Sequence, residues 1–300
     1  MKKQAGSFYI LLSAVLFGMM PLLAKIAYAH GSNAYTVAFG RFLFGSIMLL
    51  VMIFLLPGCS VKIHKKHMLE LLKLSVSYAL MPILLYTSYQ YIDSGMATTL
   101  HFTYPVTVML ILVIFYKNRI ERKQAICAIL CLIGLSLLLS PDSQPSLLGI
   151  LLSVGSGIIY AVYIVFLGKS TAKELHPLTL AFWLALFSAV EIGVIALVGR
   201  NLVFSLDGIG WAAEAGMALF TTVFALVLFQ RGLFLCGEVK ASLLSTFEPL
   251  TGILIGVIVF RETMTLNKIL GMTGILVSAV ILVLPLGQRG EKKEAVPGRS

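Results

Sequence analysis

The chain has 300 residues, 59% of them hydrophobic and 12% charged, with a formal net charge of +10. A water-soluble domain carries about a quarter charged residues, so this composition excludes a soluble globule and calls for lipid as the apolar solvent. The basic excess forms no patch on a soluble domain, which argues against nucleic-acid binding and for loop charge that orients a membrane protein.

The apolar runs are continuous over about 20 residues and lack period-two alternation, which predicts membrane helices and not barrel strands. The first run, 7–29, follows Lys2 and Lys3. It is too long for a signal-peptide core and lacks a small-residue cleavage site, so it reads as a retained span. The second, 35–56, holds Arg41 a quarter of the way in. The third, 68–91, ends in Tyr86, Tyr89 and Tyr91, residue types of the interfacial belt. The fourth, 95–116, carries Thr98, His101, Tyr104 and Pro105. The fifth, 123–140, carries Cys127 and Cys131, spaced as buried small apolar residues and not as metal ligands. The sixth, 146–167, carries Tyr160 and Tyr163 and ends before GKST at 168–171. That tetrapeptide resembles the end of a phosphate-binding loop, but Tyr163 stands where the earlier glycine belongs and no strand precedes it. The seventh, 177–198, holds Glu191, and the eighth, 208–235, holds Glu214 near the interface, where water is expected to reach it. The ninth, 239–260, carries Ser242, Ser245, Glu248 and Pro249, and the tenth is 266–286. Residues 287–300 are polar and read as a disordered cytoplasmic tail.

With the N-terminus inside, 17 of the 23 lysines and arginines fall at the cytoplasmic side. Basic residues collect there, so the expected protein is a multi-pass cell-membrane protein with both termini cytoplasmic. A shift of 144 residues superposes Lys25 on Lys169, Ala97 on Ala241, Leu100 on Leu244 and Pro105 on Pro249. Each half, 1–140 and 146–286, then holds five spans. Five is odd, so the halves insert with opposite orientation. The fold class expected is an all-α membrane protein of ten transmembrane helices in two inverted repeats, an architecture of secondary transporters.

Proline has no amide hydrogen, so Pro105 frees the carbonyl of His101 and Pro249 frees that of Ser245. Glu248 lies beside the second break, deep in its span. An ionisable group there marks a coupling or cation site, or else a carboxyl neutralised by Arg or Lys or hydrogen-bonded to hold two helices. His101, Tyr104, Ser245, Glu248, Thr98 and Ser242 are the candidate lining of a central cavity, with Tyr160 and Tyr163 as a candidate wall. A lone membrane histidine also serves simple helix-to-helix hydrogen bonding. Arg41 and Glu191 lie at similar outer depth and form a candidate ion pair. No pattern for a metal, a cofactor or a catalytic set occurs.

The run 13–27, the RFLFG of 41–45, the stretch 95–106 and the ninth-span run 241–265 with its Glu-Pro pair resemble the EamA-type transporters of the drug/metabolite transporter superfamily. The resemblance covers residues 7–286. It implies a carrier with a cavity between two five-helix repeats, exporting or exchanging amino acids or other small metabolites. In the ninth span an acidic residue at the helix exit, Glu262, also fits; Tyr104 and Asn118 stand at the matching first-half positions of Glu248 and Glu262, so no acidic role carries over there. The expected partners are a small-molecule substrate, the lipid bilayer and, in the antiport reading, protons. Proton-driven antiport and facilitated diffusion both fit these residues. The competing classes are a membrane receptor or assembly factor, which needs a loop domain, and a lipid-modifying enzyme, which needs a catalytic pair.

Overall fold

The computed structural model describes residues 2–92, 94–138, 146–261 and 264–283. Glu262 and the tail from residue 287 lie outside them. The described residues are helical and contain no strand. In chain order the helices are α1 (Lys2–Phe17), α2 (Met20–Ala29), α3 (Ala34–Leu55), α4 (Lys65–Ser88), α5 (Ser94–His101), α6 (Tyr104–Tyr116) and α7 (Arg122–Leu137). There follow α8 (Leu147–Lys169), α9 (Pro177–Val198), α10 (Gly208–Met217), a π-helical segment at Ala218–Ala225, α11 (Leu226–Cys236), α12 (Glu238–Ser245), α13 (Glu248–Phe260) and α14 (Leu266–Val283).

Among the described residues nine helical runs are long and apolar enough to cross a membrane, one fewer than expected. The shortfall is α7, which is 16 residues long. Leu138 caps it, and residues 139–140 of the expected span lie outside the described residues.

Helix ends follow local chemistry. Asn33 caps α3 by accepting the Thr36 amide at 2.9 Å, and Asp207 caps α10 by accepting that of Gly210 at 2.8 Å. Glu121 and Gln124 form a reciprocal capping box on α7. Gly237, at φ +84°, turns the chain from α11 into α12 in a conformation that side chains resist.

Three spans are broken, each by a proline one residue into its second half: Pro21 in α2, Pro105 in α6 and Pro249 in α13. The carbonyl four residues earlier has no amide to meet. Adding 144 to the limits of α5 and α6 returns those of α12 and α13. The span matching α1 and α2 is α8. Val165 stands there opposite Pro21, and the helix runs unbroken.

The packing follows the same offset. α3 packs on α9 and α7 on α14, each helix against its counterpart, while α4 packs on α8 as α11 packs on α1. Outward faces stay apolar, as in Ile126, Ile129 and Ile133 of α7, which suits contact with lipid.

Glu214 corrects the expectation of a wetted carboxylate. It is fully buried, and its Oε1 accepts from Ser32 Oγ at 2.8 Å because the α2–α3 turn folds over it.

Candidate functional site

The broken helices meet their neighbours through glycine. A Cβ on Gly157 of α8 would stand 2.5 Å from the His101 carbonyl oxygen, and one on Gly18 would stand 2.8 Å from that of Glu248. Only bare backbone fits at either place, so both breaks sit inside the bundle.

Aromatic side chains fill the space beside the first break. The His101 ring lies 5.5 Å from that of Tyr160, and the Tyr104 ring 4.9 Å from Tyr160. Tyr160 stacks on Tyr163 at 5.8 Å, and Tyr163 lies 4.6 Å from Tyr78 of α4. All five are buried. The ring contacts make one continuous packed aromatic cluster, a closed chamber filled by its own rings, from α5 to α4.

At its far end stands Arg41, fully buried. Nη2 donates to the Tyr78 hydroxyl at 3.2 Å and Nη1 to the Tyr86 hydroxyl at 3.3 Å. Nη1 also reaches Met20 Sδ at 3.1 Å, and Nε donates to Thr222 Oγ1 of the π-helical segment at 3.3 Å. The guanidinium carbon lies 4.9 Å from the Phe42 ring centre and 5.7 Å from that of Phe17. Arginine keeps its proton in proteins, so the desolvated charge is offset here by ring faces and neutral acceptors.

Several expected residues converge on this chamber. His101, Tyr104, Tyr160 and Tyr163 are in ring contact. Ser245 adjoins Tyr104 across the packing of α12 on α6, and its own hydroxyl returns to the Ala241 carbonyl at 3.0 Å. Glu248 is half buried and within electrostatic reach of Arg41, Tyr78, Tyr104 and Tyr160. Thr98 is tied to the Tyr89 hydroxyl at 3.2 Å. Ser242 is fully buried and donates within its own helix to Val239 at 3.0 Å.

The Arg41–Glu191 pair does not form. Arg41 projects towards α4 and the π-helical segment, whereas Glu191 Oε1 accepts from Ser75 Oγ at 2.6 Å. Similar depth put the two residues at one level but on different interfaces. Tyr86, expected in an interfacial belt, is fully buried against Arg41.

The hydrogen bonds define the His101 tautomer. Ser156 Oγ donates its single proton to the Ser153 carbonyl at 2.6 Å, so it accepts from His101 Nδ1 at 2.8 Å. Nδ1 therefore carries a hydrogen. The Tyr104 and Tyr163 hydroxyls and the Gln230 side-chain amide are among the buried polar groups without a partner of good hydrogen-bond geometry, as are the Thr87, Thr103 and Ser188 hydroxyls; Gln230 lies beside Tyr163 and Ser245 beside Tyr104.

Tyr78, Thr222 and Gln230 went unread in the sequence. Tyr78, Tyr86 and Tyr89 are spaced to share one face of α4, and Gln230 is an uncharged polar residue inside an apolar span; those were the available signals.

The EamA-like transporter family matches the chain twice, over residues 4–140 and 147–284. An uncharacterized transporter of Archaeoglobus fulgidus is 30% identical over 276 residues, spanning 92% of this chain and 95% of the relative. The threonine/homoserine exporter RhtA of Escherichia coli K12 is 26% identical over 271 residues, spanning 89% of this chain and 85% of the exporter. A solved crystal structure superposes with a TM-score of 0.77, covering 92% of this chain and 95% of that one at 13% identity, a likeness of fold alone. Family matches over nearly the whole length, apolar helices long enough to span lipid and relatives named as transporters agree: this multi-pass membrane protein belongs to the EamA-like transporter family.

Proposed function

We propose that this protein is a secondary transporter of a small metabolite, an amino acid being the favoured class, working by alternating access. In this reading ten helices form two inverted five-helix repeats, 1–140 and 146–286, in the cell inner membrane with both termini cytoplasmic. The observation that carries it is the pair of proline breaks at matched positions in α5–α6 and α12–α13, one beside the aromatic chamber and the other bearing Glu248. Broken helices at the repeat interface are where transporters of this build hold their substrates. The printed name of RhtA favours amino acids as cargo.

Glu248 is assigned the coupling role. It is the acidic group at the chamber, half buried and facing Arg41 only at electrostatic range. A carboxyl so placed holds a proton in one state of the cycle and releases it in another, which links solute movement to a proton gradient. His101, Tyr104, Tyr160 and Tyr163 form the wall against which the solute rests.

The test uses purified protein in liposomes, with counterflow of radiolabelled amino acids and an imposed pH gradient. Wild type is expected to concentrate solute when the gradient is applied. Glu248→Gln is expected to keep counterflow and lose gradient-driven uptake. Full gradient-driven uptake by Glu248→Gln overturns the coupling role, and absence of counterflow for every solute class in folded wild type overturns the transport reading.

A further inference from the structure

We propose that Arg41 is the anion-binding pole of the chamber and takes the carboxylate of the transported solute. The proposal rests on the transport reading above and adds the group that the site selects for.

Three independent observations converge on it. First, Arg41 is fully buried, yet no carboxylate oxygen of a described residue comes within 4.0 Å of its nitrogens. A buried guanidinium is ordinarily matched by a carboxylate. Second, each of its acceptors is neutral: two phenol hydroxyls, a threonine hydroxyl and a thioether. The Tyr78 and Tyr86 hydroxyls take the two terminal nitrogens of the planar fork, the geometry that a carboxylate accepts in bidentate fashion. They stand where a ligand's two oxygens belong. Third, the same chamber holds the Tyr104 and Tyr163 hydroxyls and the Gln230 amide, which meet only Ser245 and each other and have no partner of good hydrogen-bond geometry. These offer donors and acceptors to the rest of a small polar solute.

The surrounding elements can yield. Thr222 lies on the π-helical segment, and π-helical turns recur at functional sites because their register is held weakly. Tyr78 lies one turn before Pro82, which leaves the Tyr78 carbonyl without its helical amide. Phenol hydroxyls on such elements can be displaced from the guanidinium without breaking a regular helix. Glu248, of opposite charge and within electrostatic reach, completes a site with two signs of charge.

The experiment is competition in wild-type proteoliposomes. Neutral amino acids and simple carboxylic acids compete against counterflow of the best-transported solute, alongside their carboxamides and the amines that lack the carboxyl. Loss of a charge-assisted pair predicts that amides and amines compete about 10- to 100-fold more weakly than the parent acids. In Arg41→Gln that discrimination is expected to vanish, and in Arg41→Lys, which keeps the charge and loses the fork, to survive in part. Equal competition by acids and amides in wild type overturns the proposal while leaving transport intact. So does transport confined to solutes without a carboxyl, or discrimination that persists in folded Arg41→Gln. Absence of counterflow for every solute class instead removes the transport reading and this proposal with it. Should Arg41→Gln fail to fold, the wild-type competition series alone decides.

Discussion

The His101 carbonyl oxygen faces the backbone of Gly157 so closely that a methyl group at 157 would stand 2.5 Å from it. Gly155, two residues away on the same helix, has its nearest such neighbour at 3.9 Å, the flexible Leu84 Cδ1. Gly157→Ala is therefore expected to cost about 1–3 kcal/mol, because backbone cannot give way as a side chain can. Gly155→Ala is expected to be neutral or slightly stabilising. Thermal unfolding of the two variants in detergent separates them; equal melting temperatures would show that the break is loosely seated.

Ser156 is the acceptor that holds His101 Nδ1. Ser156→Ala leaves a buried donor unpaired, and the expected loss is about 1–3 kcal/mol. Combining it with His101→Phe, which removes the donor, is expected to cost less than the two single losses added together. Additive losses would mean that the hydrogen bond does not form.

Where the α2–α3 turn meets the start of α10, Asp207 accepts the Gly210 amide at 2.8 Å and meets His30 Nδ1 at 2.6 Å. The amide bond first and His30 second hold its carboxyl below the usual aspartate range. A lowered acid stabilises the fold above its unfolded pKa, and that contribution disappears as pH falls through the lower folded value. Asp207→Ala is expected to melt below wild type at pH 7, with the gap closing below about pH 4. A gap that stays constant to pH 3 would remove the charge from the explanation and leave only packing.

On the opposite side, Lys169 Nζ lies 3.2 Å from Glu238 Oε1, tying the end of α8 to the start of α12. Lys169 is about a third exposed. A pair of this exposure contributes at most about 1 kcal/mol. Lys169→Met is expected to lower the melting temperature slightly at low salt and less at high salt, measured by paired scans at the two ionic strengths.

The proline breaks were legible because the chemistry is local: no amide at residue 105 or 249 means an orphan carbonyl four residues back. Pro21 obeys the same rule, but the internal repeat does not point to it, because α8 has Val165 in its place. Helical periodicity says which residues share a face but not which helix that face meets. Arg41 and Glu191 were therefore paired by depth, although α3 turns Arg41 to Tyr78 and α9 turns Glu191 to Ser75. Tyr86 and Glu214 were misplaced for a related reason. Near a span end, sequence favours the interface, and only the fold of the α2–α3 turn and the packing of α4 bury them. Gln230 carried no motif. Its significance comes from its place beside Tyr163, which is a property of three dimensions.

Twofold-related halves with identical mechanics would give a carrier two end states of equal energy, each the mirror of the other. Here one arm of the molecule is jointed at Gly18 and Met19 while its counterpart, α8, is a single rigid strut. The stiffness of the two halves therefore differs even where their register agrees. In the alternating-access reading proposed above, that inequality breaks the degeneracy between facing one side of the membrane and facing the other, and gives the empty protein a preferred resting side.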